Sequence, residues 1–356
     1  MKLTDITSRT VSIPLSTPFR TALRTVTSME NVLVEVHSDS GLTGFGSAAP
    51  ATVITGETVA SITGGVDHLR DHLRGMDITA YEALFNTLND CIIGCMSAKA
   101  AVDIAIHDLL AKSLNIPLYR FLGGPVREVD TDITISLDDP AAMAAKSGER
   151  VKQGFSTLKI KVGGDVETDL ARLKSIRDSV GDTICIRIDA NQGWTPKQAV
   201  QVGRMLEREN IQVELMEQPC AAHDLEGLRF VRENCSFPVY ADESMFSPRD
   251  ALRLVTMKAV DGMNIKLMKC GGIYNAIKIA AIADTAGIPC LIGSMMECSV
   301  SVAAAAHLAA SRRNIDKFDL DAPLFCSVNP ARGGITYRGC RIEFPDLPGL
   351  GISSYT

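Results

Sequence analysis

The hydrophobic pattern of this chain changes period about a third of the way along. Residues 2–13 and 31–37 alternate polar and apolar positions, the two-residue repeat of half-buried strands, and Asp39-Ser40-Gly41 ahead of Leu42 reads as a hairpin turn. Between those strands, Ser16 to Thr25 is polar and is expected to form a flexible loop. Helical periodicity follows over 57–74, 80–89 and 97–113, so the first part predicts a small α+β domain.

From Val129 the pattern alternates short apolar runs, such as 183–188 and 213–216, with amphipathic stretches at 166–179, 196–209 and 248–257. That alternation predicts parallel strands joined by crossover helices. The strand ends fall at Ser136, Lys161, Asp189, Glu217, Asp242, Lys266, Ser294 and Asp319, each 24 to 28 residues after the last. Eight evenly spaced ends predict a β/α barrel, whose active sites lie at the C-terminal ends of the strands. No Gly-rich phosphate turn follows the first strand, which disfavours an open doubly wound sheet. The expected division is a capping domain over 1–125, a catalytic modified TIM barrel over 126–330, and a Gly- and Pro-rich segment over 331–356 that returns to the cap.

Composition narrows the function classes. Over 356 residues, 46% hydrophobic and 22% charged describe a globular chain, and a net charge of -6 offers no basic excess for nucleic acid. Met1 to Asp5 lacks the apolar core of a signal peptide and no run is long enough to span a bilayer, so a cytoplasmic protein is expected. Ten cysteines are scattered singly, with Cys91 and Cys95 the one close pair and no zinc-type spacing; they read as reduced core residues.

The chemistry concentrates at the strand ends. In Thr157-Leu158-Lys159-Ile160-Lys161 the two lysines share one face, which is either a wet edge or a pair whose mutual repulsion lowers one lysine's pKa. The next three strands end in Asp189, Glu217 and Asp242. Three anions at one mouth need either separate Arg or Lys partners or a shared hard cation, for which Mg2+ is favoured and Mn2+ is the alternative. Lys266 follows on the strand after the acids, and Lys161 and Lys266 are placed to work on opposite faces of a carbon. Lys269 is expected to point to the other side of the strand. Asp319 and Asp321 form an anionic pair that would suit an ammonium group, or else a turn or helix cap.

This constellation, with Ser97-Ala98-Lys99-Ala100-Ala101-Val102-Asp103 leading into the barrel, resembles the enolase superfamily in its muconate-lactonizing branch, and within it the dipeptide epimerases. The resemblance covers essentially the whole chain. It implies Mg2+ on Asp189, Glu217 and Asp242, Lys161 and Lys266 as the acid/base pair, and Lys159 holding the substrate carboxylate while lowering the pKa of Lys161. Asp319 and Asp321 would hold a dipeptide's α-ammonium. The loop from Phe19 to Thr25 is similar to that of L-Ala-D/L-Glu epimerases, and Arg24 would then meet a glutamate side chain. Thr134, Ser136, Ser294, Met295 and Met296 are expected as pocket walls. A homo-oligomer acting on a small dipeptide from peptidoglycan breakdown follows from the same likeness. Cycloisomerases and lyases of the superfamily, of the muconate or o-succinylbenzoate type, remain open on the lysines and metal ligands alone.

Overall fold

The computed structural model describes residues 1–20, 25–125 and 127–356. Strands β1 (Leu3–Arg20), β2 (Thr25–Ser38) and β3 (Thr43–Ala48) form an antiparallel sheet in that order. The hairpin is longer than the sequence suggests: after a register shift beyond Pro14↔Ser28, pairing resumes at Phe19↔Val26 and Arg20↔Thr25. β-Branched Thr25, Val26 and Thr27 favour continued pairing where polarity alone reads as loop.

Helices α1 (Val59–Leu73), α2 (Tyr81–Asp90), α3 (Met96–Ser113) and the single turn α4 (Leu118–Phe121) complete the cap. α3 is buried on every side from Ser97 to Ala111, which makes it the joint between cap and barrel. It lies flush on β3 because Gly44 has no Cβ, which would stand 2.0 Å from the Ala105 carbonyl oxygen. Its buried acids are structural. Asp103 accepts the Ile273 N–H at 2.6 Å, and Asp108 accepts those of Phe45 (2.8 Å) and Leu350 (2.6 Å).

After β4 (Val129–Asp130), the chain alternates strand and helix through β5 (Ile133–Ile135), α5 (Pro140–Lys152), β6 (Thr157–Lys161), α6 (Val166–Val180), β7 (Cys185–Asp189), α7 (Pro196–Arg208), β8 (Leu215–Glu217), α8 (Leu225–Asn234) and β9 (Val239–Ala241). It continues through α9 (Pro248–Met257), β10 (Gly262–Lys266), the turn α10 (Leu267–Cys270), α11 (Ile273–Thr285), β11 (Cys290–Gly293), α12 (Ser299–Ser311) and β12 (Ile315–Asp319). Strands β5 to β12 pair in sequence order, all parallel. Helix starts are written locally: Asp139, Asp165, Thr195 and Ser247 each cap with a side-chain oxygen, three of them ahead of a proline.

Between β12 and β5 the described residues form no ladder. The seam is closed by the Asp132 N–H on the Phe318 carbonyl (3.1 Å), the Leu320 N–H on the Thr131 hydroxyl (2.8 Å) and the Thr134 N–H on the Asp321 carboxylate (2.6 Å). Arg187 reaches the same seam, donating to Asp132 Oδ2 (2.8 Å) and the Phe318 carbonyl (3.1 Å) and, through Nε, to Glu214 (2.6 Å).

The tail adds β13 (Ala331–Gly333), β14 (Thr336–Arg338), β15 (Arg341–Glu343) and β16 (Ile352–Tyr355). β15 pairs with β4 beside the barrel, and β16 pairs with β13. The Tyr355 hydroxyl accepts the Gly46 N–H at 3.0 Å, and its ring meets Phe45 edge-on. All ten cysteines are free. Among the described residues no helix is long and apolar enough to cross a membrane.

Candidate active site

Five of the eight expected strand ends coincide with the last strand residue; Ser136, Asp242 and Ser294 each lie one residue beyond. Five of the eight side chains line one cavity at the C-terminal mouth of the barrel. Lys161, Lys266, Asp242, Thr134, Ser294, Met295, Met296, Asp319 and Asp321 line it, together with Val53, Ile54, Asn191 and Ala322. Ser136 lies outside it, in an adjoining depression with Asp138, Lys146 and Arg150. Met295 and Met296 stand in the turn after β11 and not on the strand. Lys159, Asp189 and Glu217 are buried and do not line it. Arg24 lies outside the described residues.

Lys161 and Lys266 stand on β6 and β10. Strands four apart in an eight-stranded barrel face each other, so the two ammonium groups approach from opposite walls. The acids of β7, β8 and β9 occupy the arc between them. Lys161 Nζ is 2.6 Å from Asp189 Oδ2, and Lys266 Nζ is 2.9 Å from Asp242 Oδ2.

Lys159 sits among carboxylates. Its Nζ lies 3.0 Å from Asp189 Oδ2, 2.8 Å from Glu217 Oε2 and 2.7 Å from Asp319 Oδ2. Burial opposes its charge, but Asp189, Asp319, Glu217 and Asp132 together hold it as an ammonium far beyond the ordinary range. Lys266 is likewise raised, burial being outweighed chiefly by Asp242. Both are raised because carboxylates outnumber lysines around them.

The acids divide by their partners. Burial would raise Asp189, yet Lys159 and Lys161 bring it down to about 2, and Lys266 and Lys269 hold Asp242 lower still. Glu217 goes up, through burial and the charge of Asp189. Glu243, beside Asp242, is pushed up to about 8 by burial and by Asp242 and Asp189. At the seam, burial and Asp319 raise Asp321 to about 6, while Lys159 and Lys266 keep Asp319 low against its burial.

Lys269 does not point away. The strand ends at Lys266 and α10 swings Lys269 back, so that its Nζ reaches Asp242 Oδ1 and the Asp242 carbonyl, both at 2.5 Å. Gln218 supports the same acid from the other side, its Oε1 accepting the N–H groups of Asp242 (2.9 Å) and Ser244 (3.0 Å).

Two turns hold the metal-side strands at a fixed separation. Gly163, at φ +103°, lies against Ala190, whose carbonyl oxygen would be 2.2 Å from an added Cβ. Asn191, Gln192 and Gln218 adopt positive φ, local strain of the kind that collects at functional sites. Asp169 on α6 ties the turns together by accepting the N–H groups of Gly163, Gly164 and the Trp194 indole.

The donor set suits a hard divalent cation. Asp189, Glu217 and Asp242 offer only oxygen, and the buried Glu217 Oε2, Glu243 Oε2 and Asn191 Oδ1 accept no hydrogen bond, although Lys159 stands 2.8 Å from the first of these. A second group, Asp132, Asp319 and Asp321, brings three carboxylate oxygens within 4.8 Å of one another. There Lys159 and Arg187 already supply cations and the Thr134 N–H occupies Asp321 Oδ2. Sequence reasoning missed Asp132, Arg187, Asn191, Glu243 and the placement of Lys269. The first four lacked any motif; Lys269 was misread by extending the strand.

Comparison with known proteins agrees with this geometry. Residues 3–123 match the mandelate racemase / muconate lactonizing enzyme N-terminal domain, and residues 142–354 match the enolase C-terminal domain-like family. An L-Ala-D/L-Glu epimerase of Clostridium acetobutylicum is 47% identical over 99% of both chains. A substrate-liganded structure of the L-Ala-D/L-Glu epimerase from Bacillus subtilis superposes with a TM-score of 0.99 at 46% identity, covering 100% of each chain. A dipeptide epimerase from Enterococcus faecalis V583, complexed with Mg and the dipeptide L-Leu-L-Tyr, gives 0.96 at 43% identity over 99% of this chain and 100% of the other. The chain belongs to the mandelate racemase / muconate lactonizing enzyme family of the enolase superfamily.

Proposed function

We propose that this chain is an isomerase that inverts the α-carbon of the C-terminal residue of a dipeptide, with L-Ala-L-Glu and L-Ala-D-Glu as the substrate pair. One observation carries the reading: Lys161 and Lys266 line a single cavity from opposite walls, with the carboxylates of three intervening strands between them. The 47% identical Clostridium relative and the Bacillus complex support the substrate class.

In this reading a dipeptide lies across the mouth with its α-carbon between the two ammonium-bearing side chains. One lysine, as the free amine, takes the α-proton; the other, as the ammonium, returns a proton to the opposite face. Mg2+ held by Asp189, Glu217 and Asp242 would neutralise the substrate carboxylate, whose oxygens gain charge as the α-proton leaves. Lys159, kept charged by its acids, adds a fixed cation beneath that carboxylate. Asp319 and Asp321 at the seam receive the dipeptide's ammonium, and Thr134 and Ser294 bound its backbone. Residues 1–125 close the mouth, Val53 and Ile54 providing the described part of that wall, and Arg24 is assigned to the glutamate side chain on the strength of the resemblance.

A second reading, epimerisation of a dipeptide with an apolar C-terminal residue, is favoured by the apolar walls Val53, Ile54, Met295 and Met296. Deuterium uptake at the α-carbon, followed with Mg2+ in deuterated water across L-Ala-L-Xaa dipeptides, separates the two by which Xaa reacts fastest. Asp319→Asn and Asp321→Asn should each lower kcat/KM for dipeptides about a hundredfold, the scale of a lost charge-assisted contact. Indifference to both would instead favour a cycloisomerase or lyase.

A further inference from the structure

The capping domain holds a cluster that the reaction does not use. His68 and His72 sit one turn apart on α1, the i, i+4 spacing that puts two imidazoles on one helix face. Cys91, the residue that ends α2, meets them: one ligand atom from each of the three residues lies within 4.8 Å of the others. The two rings are 4.3 Å apart at their centroids. His72 is exposed and the other two are half-buried, so the cluster opens to solvent.

The hydrogen bonds around it leave one nitrogen of each ring open. Each imidazole gives one nitrogen to a backbone carbonyl: His68 Nε2 to that of Cys91 (3.1 Å), His72 Nδ1 to that of His68 (2.9 Å). A carbonyl accepts only, so each of those nitrogens carries the proton and the other nitrogen of each ring keeps its lone pair. Such carbonyl partners fix the tautomer of metal-bound histidines. The turn bearing Cys91 is clamped by buried Lys99, whose Nζ donates to the carbonyls of Asn89 (2.7 Å) and Ile92 (2.6 Å) on either side. Burial raises the Cys91 thiol above its ordinary pKa, and the Lys99 ammonium offsets part of that rise.

We propose that His68, His72 and Cys91 bind a transition-metal ion of the Zn2+ type, with the fourth position left to water. Two imidazoles and one thiolate match the donor preference of Zn2+ and not that of Mg2+, so the two ions would occupy different sites. Binding releases the Cys91 thiol proton to solvent as the sulfur–metal bond forms. It also ties α1 to the end of α2 in the cap.

The test uses Co2+ as a spectroscopic stand-in, titrated into chelator-stripped protein already saturated with Mg2+. One equivalent should bind with a thiolate-to-cobalt charge-transfer absorption that Zn2+ displaces. Cys91→Ser should remove the band, His72→Asn should weaken binding at least about tenfold, and Cys95→Ser should change neither. Zn2+ should raise the unfolding temperature of the wild type and of Cys95→Ser, and of neither ligand variant. A band that survives Cys91→Ser, no band at one equivalent, or an equal thermal shift in all variants would overturn the assignment.

Discussion

The Lys269 ammonium lies 2.5 Å from both the carboxylate Oδ1 and the backbone carbonyl of Asp242, while Lys266 takes the other carboxylate oxygen at 2.9 Å. Asp242 is thus oriented by two lysines with different tasks. Lys266 faces the cavity; Lys269, 1% exposed, does not reach it.

Lys269→Met should therefore weaken Mg2+ activation about ten- to a hundredfold, the usual cost of losing a group that orients a ligand. It should also lower the unfolding temperature, because Asp242 keeps its burial and loses a partner. Steady-state rates measured against Mg2+ concentration give the first, thermal unfolding the second. An unchanged activation constant would show that Lys266 and Gln218 suffice.

Gly163→Ala should destabilise the barrel by roughly 2 kcal/mol or more, since it joins a left-handed backbone to a clash with the Ala190 carbonyl. The turn it disturbs follows Lys161 directly, so kcat should fall with stability. Urea midpoints compare the variants; an Ala variant as stable as wild type would mean that the two turns can separate.

His307 is fully buried, with Nδ1 accepting the Tyr119 N–H at 3.1 Å and no partner on Nε2, and burial alone brings its pKa down to about 3. The unfolded chain binds a proton near its ordinary value of 6.5 while the fold refuses it, so the stability is complete above about 6.5 and is lost as pH falls toward 3. Between about pH 7 and pH 5 the loss is about 2 kcal/mol. In His307→Gln, which keeps an acceptor for Tyr119, the urea midpoint should fall less over the same interval. Equal falls in both proteins would contradict this role.

Much of the barrel was legible because the strands are short and recur at an even spacing, each ending at or just before a polar residue, and that end is also where the chemistry sits. The same logic misplaced Ser136, Asp242 and Ser294 by one residue, since the strands stop one residue earlier, at Ile135, Ala241 and Gly293. Lys269 was misread because a two-residue period was carried past Lys266 into a helical turn. Asp132 and Arg187 left no trace: their meeting depends on closing the barrel between β12 and β5, a contact between residues 131 positions apart in the case of Arg187 and Phe318. The polar stretch from Ser16 read as a loop because pairing across a hairpin is a property of two segments and not of either one.

The most direct measurement follows epimerisation and α-deuterium uptake of L-Ala-L-Glu and L-Ala-D-Glu in deuterated water with Mg2+, using wild type, Lys161→Ala and Lys266→Ala. Two bases on opposite walls predict that the wild type incorporates deuterium as it interconverts the epimers and that each variant loses interconversion by at least about a thousandfold. Interconversion that survives in either variant, or a wild type that exchanges no α-proton in any dipeptide, would contradict the two-base account.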